Sequence, residues 1–149
     1  MDRNRRRPQQ NQRGFSLIEV LVAVFILSVG LLSVAALQII GLKNTHSAYL
    51  HSQATTSATD IIDRMRINRD GALAGGYNIA IGTSAPSGST ITANDLDGWK
   101  TNLDTNLPSG DGAIDCSTVP GLCVVTVQWD DSGGTAGSTA AQIALRARL

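Results

Sequence analysis

Residues 13–42 read RGFSLIEVLVAVFILSVGLLSVAALQIIGL, and from Val20 to Leu42 no side chain carries a formal charge. At about 1.5 Å per helical residue those positions reach about 35 Å, enough to cross a hydrocarbon core of about 30 Å. Phe15, Leu17 and Ile18 carry the apolar run back almost to Arg13, with Glu19 as the one interruption. A buried soluble helix of this length would leave too little chain to cover it, since the whole sequence has 149 residues. The expectation is a membrane helix.

Charge orients it. The formal net charge is zero, but residues 1–14 hold Arg3, Arg5, Arg6, Arg7 and Arg13 against Asp2, whereas the remainder is acidic. An arginine-rich end is often a nucleic-acid arm; an apolar span beginning directly after it argues against that use. After the span only Lys43 is basic within twenty residues. The positive-inside bias therefore places residues 1–14 in the cytoplasm and sends the C-terminal body across the membrane, into an oxidising compartment, as a single-pass protein.

Glu19 separates an anchor from an ordinary secretory signal. A carboxylate costs about 2.5–3.5 kcal/mol at the centre of a membrane helix and less near its end. A cleaved signal needs only hydrophobicity in that region. The bland account of Glu19 is a side chain reaching back to the headgroups, helped by the helix N-terminus.

The order Arg13-Gly14-Phe15-Ser16-Leu17-Ile18-Glu19-Val20 resembles the N-terminal signature of the type IV pilin superfamily. In that family a basic leader ends in glycine, phenylalanine or methionine follows, glutamate stands fifth after the cut, and a long apolar helix continues. The resemblance implies cleavage between Gly14 and Phe15 by a prepilin peptidase, N-methylation of Phe15, and an assembly role for Glu19. It implies as partners the prepilin peptidase, other minor and major pilins, the inner-membrane assembly platform and membrane lipid, with no cofactor and no established nucleic-acid contact. It strictly covers residues 13–42.

Two further blocks are similar to minor pilins of the PilV type. They are Val24-Phe25-Ile26-Leu27-Ser28-Val29-Gly30-Leu31-Leu32 with Ala35-Ala36-Leu37-Gln38, and Asp60-Ile61-Ile62-Asp63-Arg64-Met65-Arg66-Ile67-Asn68. Major pilins often carry a kinking proline in this half, yet none occurs here between Pro8 and Pro86. Gly30 and Gly41 are the weak points left.

Cleavage after Gly14 also has a physical logic of its own. Glycine lets an extended backbone enter a narrow protease cleft. The cut removes five arginines and creates a positive amine one helical turn from Glu19. Pairing these charges, within a subunit or between neighbours, would offset the desolvation cost of both.

Leu50, Ala54, Ala58, Ile61 and Met65 make one apolar stripe beyond the span, so the helix is expected to continue to about Asn68. Gly71 and Gly75-Gly76 read as its terminators. Residues 15–42 are thus the transmembrane and assembly helix, 43–70 its amphipathic continuation and 71–149 a small α+β head. Residues 82–94 read as a loop. Leu96, Trp99, Leu103 and Leu107 predict a short helix, with Asn94 as cap and Pro108 as stop. Cys123–Trp129 and Gln142–Leu149 alternate like strands, and the intervening Gly/Ser/Thr-rich stretch makes an antiparallel hairpin. The fold class is pilin-like α+β: a long N-terminal helix packed on a small antiparallel sheet.

Pro120-Gly121 is a turn that can bring Cys116 to Cys123, and a body exported to an oxidising compartment favours their disulfide. His46 and His51 are five apart and share no metal-binding face. Arg64 and Arg66 are expected to be solvated or paired with Asp60 and Asp63. Asp95, Asp97, Asp111, Asp115, Asp130 and Asp131 supply oxygens but no EF-hand spacing. No nucleophile motif, phosphate loop or metal set is present, so no catalysis is expected. The expected function is a minor type IV pilin that primes or joins the pilus, with consequences for adhesion, motility and DNA uptake. A minor pseudopilin of type II secretion shares the signature. A secreted binding protein cut after Ala35 is the reading from a different class, because Ser33-Val34-Ala35 offers small residues at the required spacing.

Overall fold

The computed structural model describes residues 14–135 and 137–149. The chain divides into two compact units, Met1–Ile39 and Ile40–Leu149. Helix α1, Leu17–Ile67, belongs to both and is unbroken over 51 residues. With no proline between Pro8 and Pro86, every amide can join the i→i−4 ladder. Gly30 and Gly41 lie inside it without interrupting it.

In the first unit every residue of α1 is solvent-facing. Its hydroxyls are satisfied locally: Ser28 Oγ donates to the Phe25 carbonyl at 2.8 Å and Ser33 Oγ to the Val29 carbonyl at 3.0 Å. Such back-bonding lets a serine sit among apolar side chains without an orphaned donor.

In the second unit α1 turns amphipathic. Leu50, Ala54, Ala58, Ile61, Ile62 and Met65 are buried in the core of an α+β head. The helix ends at Ile67, and Asn68 (φ −105°, ψ 54°) breaks the ladder before a five-residue helix, α2, Arg69–Leu73. Gly71 therefore sits inside α2 instead of terminating α1; Gly75, at φ +78°, makes the reversal that a Cβ would strain.

Helix α3 spans Ile91–Asn106 and starts earlier than the loop reading of 82–94 allowed. Its cap is Thr90, which accepts from the Ala93 amide at 3.2 Å, and not Asn94, whose own amide is already bonded to the Thr90 carbonyl. Leu96, Trp99 and Leu103 are its buried face.

Three strands follow: β1 (Asp111–Val119), β2 (Leu122–Trp129) and β3 (Ala141–Arg148), an antiparallel meander in the order β1-β2-β3. Strand β2 is central, and its Cys123, Val125, Val127 and Trp129 all face the core with no exposure. Trp99 anchors the opposite side: its indole N–H donates to the Ser57 carbonyl at 3.0 Å. Its ring lies over Gly112, where a Cβ would collide with both the indole and Leu103.

Candidate cleavage and assembly site

The expected leader falls mostly outside the described residues, which begin at Gly14. Gly14, Phe15 and Ser16 are non-helical and exposed, and a Cβ at Gly14 would meet nothing within 4 Å. Phe15 is 84% exposed. The ladder starts directly afterwards: the Ser16 carbonyl accepts from the Glu19 amide at 3.0 Å and the Val20 amide at 3.3 Å. The Gly14–Phe15 bond thus lies in accessible, unwound chain just before a rigid helix. Proteases bind extended backbone, and this junction offers it without melting a turn.

Glu19 occupies the first turn of α1. Its carboxylate is exposed and has no hydrogen bond or ion pair among the described residues. A negative charge at a helix N-terminus is favoured by the unsatisfied amides there. Phe15, just outside the helix, and Glu19 in its first turn line one shallow surface depression with Val20 and Ala23. The following stretch of α1 is long and apolar enough to cross a membrane, with a mean hydropathy of 2.8 over 18 residues and none of that window buried.

Residues 9–35 match the prokaryotic N-terminal methylation motif. The match takes in the Gly14–Phe15 junction, Glu19 and the apolar stretch as far as Ala35, and it supports a type IV pilin-like or pseudopilin chain. Processing by prepilin peptidase and engagement with pilin assembly machinery are what such a motif implies. Together with the long apolar helix, it fits a membrane-anchored pilin. No curated protein and no solved structure matches the chain.

The remaining candidates lie in the second unit. Cys116 and Cys123 are joined by a disulfide across neighbouring positions of β1 and β2, with Cα atoms 4.1 Å apart. The hairpin turns at Gly121, whose φ is +74°. Arg64 pairs with Asp60 at 3.0 Å and reaches Asp95 at 3.5 Å, and Arg66 pairs with Asp63 at 2.7 Å. His51 is exposed and packs edge-on against Trp129, ring centroids 4.7 Å apart, while His46 is exposed. Among the described residues no three His, Cys, Asp or Glu side chains gather as metal ligands.

Five of the six aspartates considered as oxygen ligands, all but Asp97, are engaged in hydrogen bonds. Asp95 accepts from the Tyr77 hydroxyl at 2.5 Å, and Asp131 from the Ser47 hydroxyl at 2.6 Å. Burial, reinforced by that bond to Asp95, pushes the Tyr77 phenol up to about 12. Asp115 accepts from the Ser117 hydroxyl and amide and from Thr118, which hold its carboxyl below the usual range.

Sequence reading missed a latch centred on Asp111. Its carboxylate is ion-paired with Lys100 of α3 and accepts from the Gly82 amide at 2.5 Å and the Gly112 amide at 2.7 Å. Burial raises this carboxyl's pKa, but the Lys100, Gly82 and Gly112 hydrogen bonds outweigh it and hold the group below its ordinary value. The available signal was Lys100, the one basic residue between Arg69 and Arg146.

Proposed function

We propose that this chain is a minor type IV pilin of the PilV kind, a non-catalytic subunit that primes or joins the pilus. The methylation motif over residues 9–35 carries the reading. In it, prepilin peptidase cuts after Gly14 at the cytoplasmic face, Phe15 becomes the N-methylated terminus, and α1 anchors the subunit with its head in the periplasm. Glu19 then pairs with the Phe15 amine of its own chain or a neighbour's, cancelling two charges that would each be costly in an apolar bundle. The other minor and major pilins and the assembly platform are its partners. The blocks around Val24–Gln38 and Asp60–Asn68 favour PilV over the pseudopilins of type II secretion, which share the N-terminal signature.

Mass spectrometry of the mature chain tests the first step. An N-terminus at N-methyl-Phe15 is expected, and one at Ala36 would reject the pilin reading in favour of secretion. Glu19→Ala is expected to be cut and methylated normally but to be depleted from sheared pili. Normal loading of that variant would remove Glu19 from the assembly role. Loss of secretion with intact piliation in a deletion strain would move the assignment to a pseudopilin.

A further inference from the structure

The two edges of the sheet are treated differently. On β1 the outward amide of Ile114 donates to the Ile79 carbonyl at 2.8 Å, the Ile79 amide returns a bond to the Ile114 carbonyl at 3.0 Å, and the Cys116 amide donates to Asn78 Oδ1 at 2.9 Å. That edge is covered. On β3 the Leu149 amide points to β2, donating to the Gly121 carbonyl at 3.0 Å. Backbone groups alternate along an antiparallel strand, so those of Gln142, Ala144, Arg146 and Arg148 point away from β2. None of them has a backbone partner among the described residues.

Natural edges are usually shortened, bulged, closed with proline or blunted by charged side chains. Here β3 keeps unbroken register with β2 from Ala141 to Arg148, and it contains no proline. Its inward side is incompletely covered as well. Val125 and Val127 are fully buried, whereas Leu145 and Ile143, their partners in register, are only half-buried. Among the described residues no fourth strand covers Ile143 and Leu145.

Charge says what kind of strand fits. Arg146 and Arg148 project from the exposed face of β3 and make no ion pair among the described residues. Arg69 lies at the same end, its guanidinium donating to the Leu149 carbonyl at 3.2 Å. A second copy of β3 would bring a second pair of arginines to the same seam, which like-charge repulsion disfavours. We propose that the free edge of β3 receives, as a fourth strand, an extended acidic segment of a different protein chain. Its backbone would complete the ladder at Gln142, Ala144, Arg146 and Arg148, alternate carboxylates would meet Arg146 and Arg148, and its inward side chains would cover Ile143 and Leu145.

Amide hydrogen exchange of the full chain in detergent micelles tests this, with the capped peptide acetyl-Val-Glu-Val-Glu-Val-Glu-Val-amide as probe. The amides of Ala144, Arg146 and Arg148 are expected to exchange quickly alone and about tenfold more slowly with millimolar peptide, those of β1 being unaffected. The lysine counterpart of the peptide should protect less, and added salt should weaken the acidic one. Arg146→Glu with Arg148→Glu should reverse the preference. Ala144→Pro, which removes only an outward donor, should abolish protection by either peptide. Unchanged exchange at millimolar acidic peptide would overturn the proposal, as would equal protection by both peptides. Protection in peptide-free protein that grows with its concentration would assign the edge to a second copy and overturn it too.

Discussion

Asp111→Asn probes the latch that ties three segments of the head together. The carboxylate joins α3 through Lys100, the start of β1 through the Gly112 amide, and the turn at Gly82. Charge-assisted hydrogen bonds contribute about 1.5–3 kcal/mol each against about 0.5–1.5 for neutral ones. Asparagine keeps an acceptor but loses the charge, and it leaves the Lys100 ammonium, 12% exposed, without a counter-ion. Breaking a fully buried pair costs about 3–5 kcal/mol. Here Asp111 retains 25% of its side-chain exposure, so solvent screening reduces the figure. The expected loss is about 2 kcal/mol, or about 8 °C in Tm for a domain of this size. Denaturant unfolding of the full chain in micelles reads it directly, because Trp99 and Trp129 are both buried reporters. Lys100→Met combined with Asp111→Asn should recover more than half of the loss, since no unpaired charge then remains. The pH dependence has a definite sign: a carboxyl depressed by folding contributes fully above about pH 4 and loses that contribution as pH falls through its lower folded value. The wild type should lose this increment in acid, and the asparagine variant should not. A loss under about 0.5 kcal/mol, or strict additivity in the double variant, would refute the latch.

Three other outcomes are expected. Gly112→Ala should destabilise the head by about 1–3 kcal/mol, because the new methyl enters the space of the Trp99 indole and Leu103; a companion Trp99→Phe change should relieve part of the loss in the same melt. Replacing Cys116 and Cys123 by alanine should cost about 2.5 kcal/mol in the chain-entropy model, read as a lower urea midpoint in oxidising buffer that coincides with that of the reduced wild type. Tyr77→Phe should flatten the alkaline arm of the stability curve. The wild-type phenol, pushed up to about 12, supplies stability that is complete below about pH 10 and lost as pH rises through the folded value.

The long helix was legible because an uncharged run and a stripe at i, i+3 and i+4 are local signals, and Leu50, Ala54, Ala58, Ile61 and Met65 are all buried as their spacing required. Strands β2 and β3 were legible from their alternation. Strand β1 was not: Asp111, Gly112, Asp115 and Ser117 have poor strand propensity. Its register with β2 also shifts between Asp115 and Val119, which destroys the period-two pattern. Helix α2 is too short to leave a periodic trace, and the Thr90 cap is hidden among serines and threonines that look like a loop. The methylation motif was readable because it lies in contiguous residues. The Asp111 latch was not, since it joins Gly82, Lys100 and Gly112 through tertiary folding.

Ser28 and Ser33 commit their hydroxyl protons to their own turns of α1. That leaves Glu19 and Gln38 as the polar side chains of the apolar stretch with no intrahelical bond among the described residues. They stand nineteen positions apart, about 28 Å along a helix, close to the thickness of a hydrocarbon core of about 30 Å. Between them a neighbouring helix would meet no side chain with an uncommitted polar group. In the proposed membrane subunit, polar contacts that set the height of α1 against a neighbour would therefore fall near the two rims of the bilayer.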